Sequence, residues 1–513
     1  MNVTTAKDQR EGRLLHVLVE HARMQPQSPA LTCEGASVNW EELASRILDL
    51  GGAISALGDN DKRPVALLGL NGIEVVIAYL ATIAAGRCAV PLPVSATVET
   101  IAGMIADSNP ALIFADATGS KLIPSTGPRV IGIGLAADGV VPFDDFSRSA
   151  HPLDTPAAMA PGDDFNIIYS SGTTAQPKGI VHSHAMRFRQ AARGSFALSP
   201  QSVMLLATPL YSNTTLMPLL ATLFHGGQVV LMRKFSVGVY LDLAESLGAT
   251  HTMLVPVQYQ RILADPSFDT RDLSAFVVKQ STGAALSPAI KKDAIARWPG
   301  KLLEVYGLTE GGCTCILDVA QAPDKTHTVG RPAPGNDVRI IGETGNQLPQ
   351  GETGEIVGRS QTMMSRYLNN KDATEAFYWH DETDALFHRT GDIGQFDADG
   401  YLMLRDRKKD VIISGGFNIY ASDLEHTLLE HPDVDDAAVI AIPSESWGET
   451  PLGLIVVRSG ATRSAAEVLE WSNARLSKMQ RLTAIEIRDA LPRSATGKLL
   501  KQDLKRPYWN ARS

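Results

Sequence analysis

Between residues 165 and 193 the chain sets a glycine- and hydroxyl-rich loop with one lysine between two apolar stretches, and few folds can use such a sequence. Phe165-Asn166-Ile167-Ile168-Tyr169 reads as a short apolar strand, and the residues from Ile180 to Arg193 predict the start of a helix. The loop between them runs Ser170-Ser171-Gly172-Thr173-Thr174-Ala175-Gln176-Pro177-Lys178-Gly179. Small residues let backbone N–H groups approach a polyphosphate, hydroxyls donate to it or reach a metal, and the ammonium adds a point charge. A Walker loop would need glycine, lysine and a hydroxyl residue at 177–179; here Pro177 takes the glycine position and Gly179 the hydroxyl position. The stretch is therefore a phosphate-loop candidate of another kind, to be weighed against an ordinary Ser/Thr/Gly surface turn.

What surrounds the loop argues for an α/β frame. Alternating short strands and longer helices, such as Pro64-Val65-Ala66-Leu67-Leu68-Gly69 followed by a helix through Glu74 to Ala85, predict βαβ units and mainly parallel sheet. Ser37-Val38-Asn39-Trp40-Glu41-Glu42-Leu43 reads as a strand running into a capped helix. With 513 residues the chain has room for two or more domains. We expect a large multi-sheet domain over 1–405 and a smaller, mobile α+β domain over 406–513. A charged cluster and a glycine pair, Arg405-Asp406-Arg407-Lys408-Lys409 and Gly415-Gly416, mark the junction.

Other classes fall away on charge and composition. A net charge of −9 offers no basic footprint for nucleic acid. Cys33, Cys88, Cys313 and Cys315 make no disulfide framework, and Cys313-Thr314-Cys315 lacks the second pair a zinc site needs. Val65 to Val90 and Met204 to Met232 are both broken by polar residues or prolines, so neither predicts a membrane span. The polar N-terminus has no signal-peptide pattern, and a cytoplasmic protein is expected. A homodimer is compatible with the sequence, which does not reveal oligomeric state.

Four further segments follow in order: Gln280-Ser281-Thr282-Gly283-Ala284-Ala285, Glu304-Val305-Tyr306-Gly307-Leu308-Thr309-Glu310, His388-Arg389-Thr390-Gly391-Asp392, and Leu491-Pro492-Arg493-Ser494-Ala495-Thr496-Gly497-Lys498. Together with the loop they resemble the adenylate-forming superfamily of acyl-CoA synthetases, peptide-synthetase adenylation domains and luciferases, over about residues 30 to 503. Within it the chain looks most like an acyl- or aryl-CoA ligase. The family loop usually reads S-G-T-T-G-x-P-K-G, and this chain departs only at Ala175.

The resemblance implies an AMP-forming ligase using ATP, CoA and Mg²⁺. Ser171, Gly172, Thr173, Thr174, Gln176 and Lys178 would cradle the phosphates. Gly283, Ala284, Ala285, Glu304, Tyr306 and Gly307 would border the adenine, and Thr309 would meet the α-phosphate. Asp392 and Arg407 would hold the ribose, Thr174 and Glu310 the metal, and Lys498 would be the catalytic lysine. Lys409 would be the hinge and Gly415-Gly416 would line a pantetheine tunnel. Tyr211, Ser212, Val255, Gln258, Gly283 and Cys313 are expected around the acid, with Tyr211 either pocket wall or core. Ser212 stands where the family often has histidine, and Asp406 where it usually has glycine. With no evident cation for a second carboxylate, the acid is expected to be monocarboxylic, aromatic or medium-chain; a carrier protein in place of CoA is the alternative acceptor.

Overall fold

The computed structural model describes residues 11–58, 62–170, 177–458, 460–461, 463–494 and 497–510. Its frame is two large sheets with helices between them and outside them. In the nine-stranded sheet, Lys301–Gly307, Val278–Ser281, His251–Leu254, Val203–Leu206, Gln228–Leu231 and Pro29–Cys33 lie side by side in parallel, with antiparallel strands only at the edges. The eight-stranded sheet has Ala89–Pro91, Val65–Leu68, Leu112–Ala115 and Arg129–Gly132 in parallel at its centre.

One core fills the space between these sheets. It takes Leu31, Leu206, Val229 and Met253 from the first sheet and Val65, Leu67, Leu112, Phe114 and Phe165 from the second. The helix Ile73–Ala84 runs through it with every residue buried except Glu74. A helix apolar on all sides belongs inside a large protein, which accounts for the unbroken apolar reading of that region. Among the described residues no helix is long and apolar enough to cross a membrane. Asn39 caps the helix Trp40–Ser55 in a capping box with Glu42, as its sequence predicts.

The segment after the phosphate loop departs from expectation. Gly179–Ser183 is a strand, antiparallel to Asp164–Tyr169, and the helix begins only at His184. Ile180 and Val181 pair with Ile168 and Ile167, so β-branched cross-strand packing overrides a helical start. The loop thus joins two strands of a hairpin and does not open onto a helix N-terminus.

A third sheet contains Asp337–Ile341, Gly354–Arg359, Leu386–Phe396, Tyr378–His380 and Leu402–Arg407. Leu402–Arg407 extends two residues past the expected junction at 405/406, and Asp392 lies opposite Arg407 in register. The fourth sheet starts at Ile412 and, with the helices Ala421–Leu429, Ala465–Asn473 and Lys501–Asn510, forms the C-terminal α+β unit. Asp406 has a task at this junction: its carboxylate accepts the Ser422 N–H at 3.3 Å in the first turn of Ala421–Leu429. Ion pairs Lys501–Glu425 (2.7 Å) and Lys505–Asp410 (3.3 Å) tie the last helix to the same place.

Candidate active site

The segment Tyr306-Gly307-Leu308-Thr309-Glu310 leaves the end of a buried parallel strand, where open α/β sheets bind ligands. It is held on three sides. His182 Nε2 donates to the Thr309 carbonyl at 2.7 Å, and the Glu310 carbonyl accepts the Met364 N–H at 2.7 Å. The Tyr367 hydroxyl donates to Glu310 Oε1 at 2.8 Å, which leaves Oε2 as a hard oxygen ligand. Burial, with the Glu310 charge beside it, pushes the Tyr367 phenol well up, so this hydroxyl stays a donor. The Lys178 ammonium lies 5.0 Å from the centre of the Tyr367 ring, which brings the phosphate-loop lysine to the same side as Glu310.

Asp392 follows Gly391 at an irregularity inside the strand Leu386–Phe396, where the φ of +69° at Gly391 suits glycine. Its Oδ2 accepts from the Tyr306 hydroxyl at 2.8 Å, and its Oδ1 lies 3.3 Å from Arg407 Nε. The Tyr306 ring packs with Cys313, Cys315 and Val329. These contacts fix a carboxylate beside an aromatic edge, an arrangement suited to a nucleoside. Gly283, Ala284, Ala285 and Gly307 are exposed, so small residues front open space on the adjacent strand ends.

Lys498 reaches this place from the C-terminal unit. Its turn is closed by Ser494, which donates N–H to the Lys498 carbonyl at 2.8 Å. A Cβ on Gly497 (φ +77°) would lie 2.9 Å from Val257 Cγ1, so the turn is docked on the helix Pro256–Leu263 of the large unit. Burial pushes the Lys498 ammonium down to about 8, and Arg407 and Lys409 add to this against Asp392 and Glu310. Lys498 is thus within electrostatic reach of the ribose and metal candidates. Burial likewise lowers Lys409 to about 8, opposed by Asp410. Cations pressed together in this way favour an incoming polyanion.

Other expected residues stand elsewhere. Glu304 is not at an adenine edge: it is buried, paired with Lys291, and accepts the Leu286 N–H at 2.7 Å. Cys313 is fully buried under Gly358, inside the core and not on a pocket wall. Gln258 has spent its amide, accepting from the Val255 N–H (3.1 Å) and donating to the Ala207 carbonyl (3.2 Å). Val255 is buried, with a methyl 3.5 Å from where Gly283 would carry a Cβ. Ser212 caps the helix Asn213–Phe224 by accepting the Thr214 N–H, a backbone duty that a hydroxyl performs. The Tyr211 hydroxyl meets Ser95 Oγ at 3.0 Å.

Gly415 and Gly416 form no tunnel in this arrangement. Both are exposed, and a Cβ on Gly416 would meet nothing within 4 Å. Ser171, Gly172, Thr173, Thr174 and Gln176, with Ala175, lie outside the described residues. Sequence reasoning missed His182 and Tyr367, which carry no local signature; only the fold brings them to residues 309 and 310.

The chain is similar to known proteins over nearly its whole length. The pattern of the AMP-binding enzyme family matches residues 18–368, and that of the AMP-binding enzyme C-terminal domain matches residues 423–498. The chain is 30% identical to an indoleacetate–CoA ligase of Aromatoleum aromaticum, over 94% of this chain and 96% of that protein. It is also 30% identical to a feruloyl-CoA synthase of Amycolatopsis sp., over 96% and 98% respectively. The crystal structure of ATP-bound MatB from Rhodopseudomonas palustris superposes with a TM-score of 0.87 at 26% identity, covering 98% of this chain and 100% of that one.

Proposed function

The chain belongs to the AMP-binding enzyme family, and from that premise we propose how its residues divide the work of an AMP-forming acid:CoA ligase. The enzyme joins a carboxylic acid to CoA at the expense of ATP. A carboxylate oxygen of the acid attacks the α-phosphorus, the bond to the β-phosphate oxygen breaks, and pyrophosphate leaves. CoA, as thiolate, then attacks the acyl carbon of the acyl-AMP; the C–O bond breaks and AMP departs.

In the first step Lys498 stabilises charge moving onto the α-phosphate and the carboxylate oxygen. Thr309 contacts the α-phosphate, Asp392 with Arg407 holds the ribose, and Tyr306 and Gly283 to Ala285 border the adenine. Lys178, with the loop from Ser171 to Gln176, cradles the leaving phosphates. Glu310, with Thr174, would hold the Mg²⁺ that accompanies ATP, and the ion would neutralise phosphate charge; a single carboxylate beside substrate phosphates is its usual protein ligation. Among the described residues no cluster of three or more His, Cys, Asp or Glu offers a cage of another kind.

In the second step the C-terminal unit turns about Lys409, withdrawing Lys498 and bringing Gly415-Gly416 against the large unit to form the thiol path. The acid is monocarboxylic, aromatic or medium-chain, and it enters beside Tyr211 and Gly283. The protein works in the cytoplasm.

The observation that supports this reading is Lys498 docked across the two units beside Asp392, Arg407 and Glu310. Its test is pyrophosphate release with MgATP and a panel of aromatic and aliphatic acids, with and without CoA. Acid-dependent release that turns over only with CoA is expected. Release indifferent to CoA would transfer the acceptor role to a carrier protein, and silence across the panel would overturn the reading of the acid.

A further inference from the structure

Arg187, on the helix His184–Ala191, is fully buried, and no carboxylate among the described residues pairs with it. Its guanidinium is spent on neutral acceptors. Nε donates to Asn166 Oδ1 at 2.8 Å, and Nη1 donates to Gln190 Oε1 at 2.6 Å and Asn213 Oδ1 at 2.8 Å. Nη2 lies 3.0 Å from His182 Nδ1. A guanidinium cannot accept, so His182 Nδ1 is the acceptor and Nε2 carries the proton given to the Thr309 carbonyl at 2.7 Å. Burial first, and Arg187 second, hold His182 well below its usual range, which keeps this tautomer neutral.

The bonds therefore form one line. It starts at Asn213, the first residue of the helix that follows Tyr211 and Ser212, passes through Arg187 and His182, and ends on the backbone of Thr309. Stability alone is a poor reason for it, because burying an unpaired charge carries a large desolvation cost even when its donors are all matched. Direction is what the fork of an arginine supplies and neither a lysine nor an apolar residue can copy.

We propose that Arg187 and His182 are positioning residues: a buried relay that sets Thr309 against the α-phosphate and ties that setting to the turn beside the acid pocket. The inference rests on the proposed role of Thr309. Occupation of the pocket beside Tyr211 and Ser212 then bears on the nucleotide through Asn213, without any contact between acid and phosphate.

The test needs no acid. Dissociation constants of the full chain for AMP and for adenosine isolate the α-phosphate contact from those to adenine and ribose. Arg187→Met and His182→Phe are expected to weaken AMP by about tenfold while adenosine stays within about twofold, the size of one lost hydrogen bond to a charged group. His182→Gln, which can still accept from Arg187 and donate to Thr309, is expected to restore AMP binding. Asn213→Ala should shift the AMP-to-adenosine ratio in the same direction by less; it stands as the milder variant should Arg187→Met fail to fold by circular dichroism. An unchanged ratio in folded Arg187→Met or Asn213→Ala overturns the relay, even if His182→Phe lowers it. A wild-type protein that binds AMP no better than adenosine removes the phosphate role of Thr309 itself, and the relay with it.

Discussion

The C-terminal unit carries two glycine turns in opposite circumstances. The turn at Gly497 is pressed against Val257 of the large unit, with Lys498 half-buried beside Asp392 and Glu310. The turn at Gly415 and Gly416 faces solvent with Ile413, Phe417 and Trp447 exposed around it, at 57%, 56% and 55%. An apolar rim so open, on a unit with a core of its own, fits the surface proposed to meet the large unit in the second step. Both turns belong to one body, so engaging one withdraws the other. On the proposed reading, the arrangement seen serves acid activation, and thioester formation would present the second turn instead.

The sharpest way to break this contrast is Lys498→Ala. Acyl-AMP formation should fall at least about 100-fold, as for removal of a group aimed at transition-state charge, while thioester formation from supplied acyl-AMP stays near wild type. Equal losses in both halves would show that the two turns are not separate devices. Gly497→Val forces a β-branched residue into a φ of +77° against Val257. About a tenfold loss confined to the adenylating half is expected, read as pyrophosphate release.

Gly415→Ala reverses the comparison. Its Cβ would lie 2.6 Å from Trp447 Cε3, at a φ of +57°. The thioester half should slow several-fold, about the effect of 1 kcal/mol of local strain, with pyrophosphate release unchanged. The pH profile gives a finer reading. The ammonium is the working form of Lys498, and its pKa is depressed to about 8. kcat/KM for adenylation should therefore decline as pH rises through about 8 in the free enzyme, whereas for kcat the bound phosphates favour the charged form and move the limb upward. An effect of similar size is expected for Tyr367→Phe. Loss of its hydrogen bond to Glu310 should raise the KM for MgATP about threefold to tenfold and leave the thioester half untouched.

The motif positions proposed to act directly were readable because each needs a fixed residue type at a fixed place. Tyr306, Thr309, Glu310, Asp392 and Lys498 come together as their order in the chain implies. Residues that act through others could not be read. His182 and Tyr367 are far in sequence from Thr309 and Glu310, and only the hairpin at Gly179–Ser183 with its edge strand Arg366–Tyr367 brings them there. The same hairpin explains the misread start of a helix at Ile180, where cross-strand partners invisible in a local window decide the conformation. Glu304 and Cys313 are interior residues: Glu304 sits in a strand buried from Leu302 to Tyr306, and Cys313 lies just before the strand Thr314–Asp318, burial set by the surrounding sheets and not readable locally. The α/β alternation itself was legible throughout, since buried parallel strands read as short apolar runs.

The pairing of Asp392 with Arg407 has a mechanical side. Arg407 is the last residue of its strand and stands two positions before Lys409 in the turn that follows, so the residues proposed as ribose clamp and pivot are close neighbours in the chain. In the proposed swing about Lys409, rotation of the small unit would bear on Arg407 and through it on Asp392. On that reading a nucleotide stripped of its ribose hydroxyls would let the unit turn ahead of its time, and the sugar would serve as the timing pin of the cycle as well as a handle for binding.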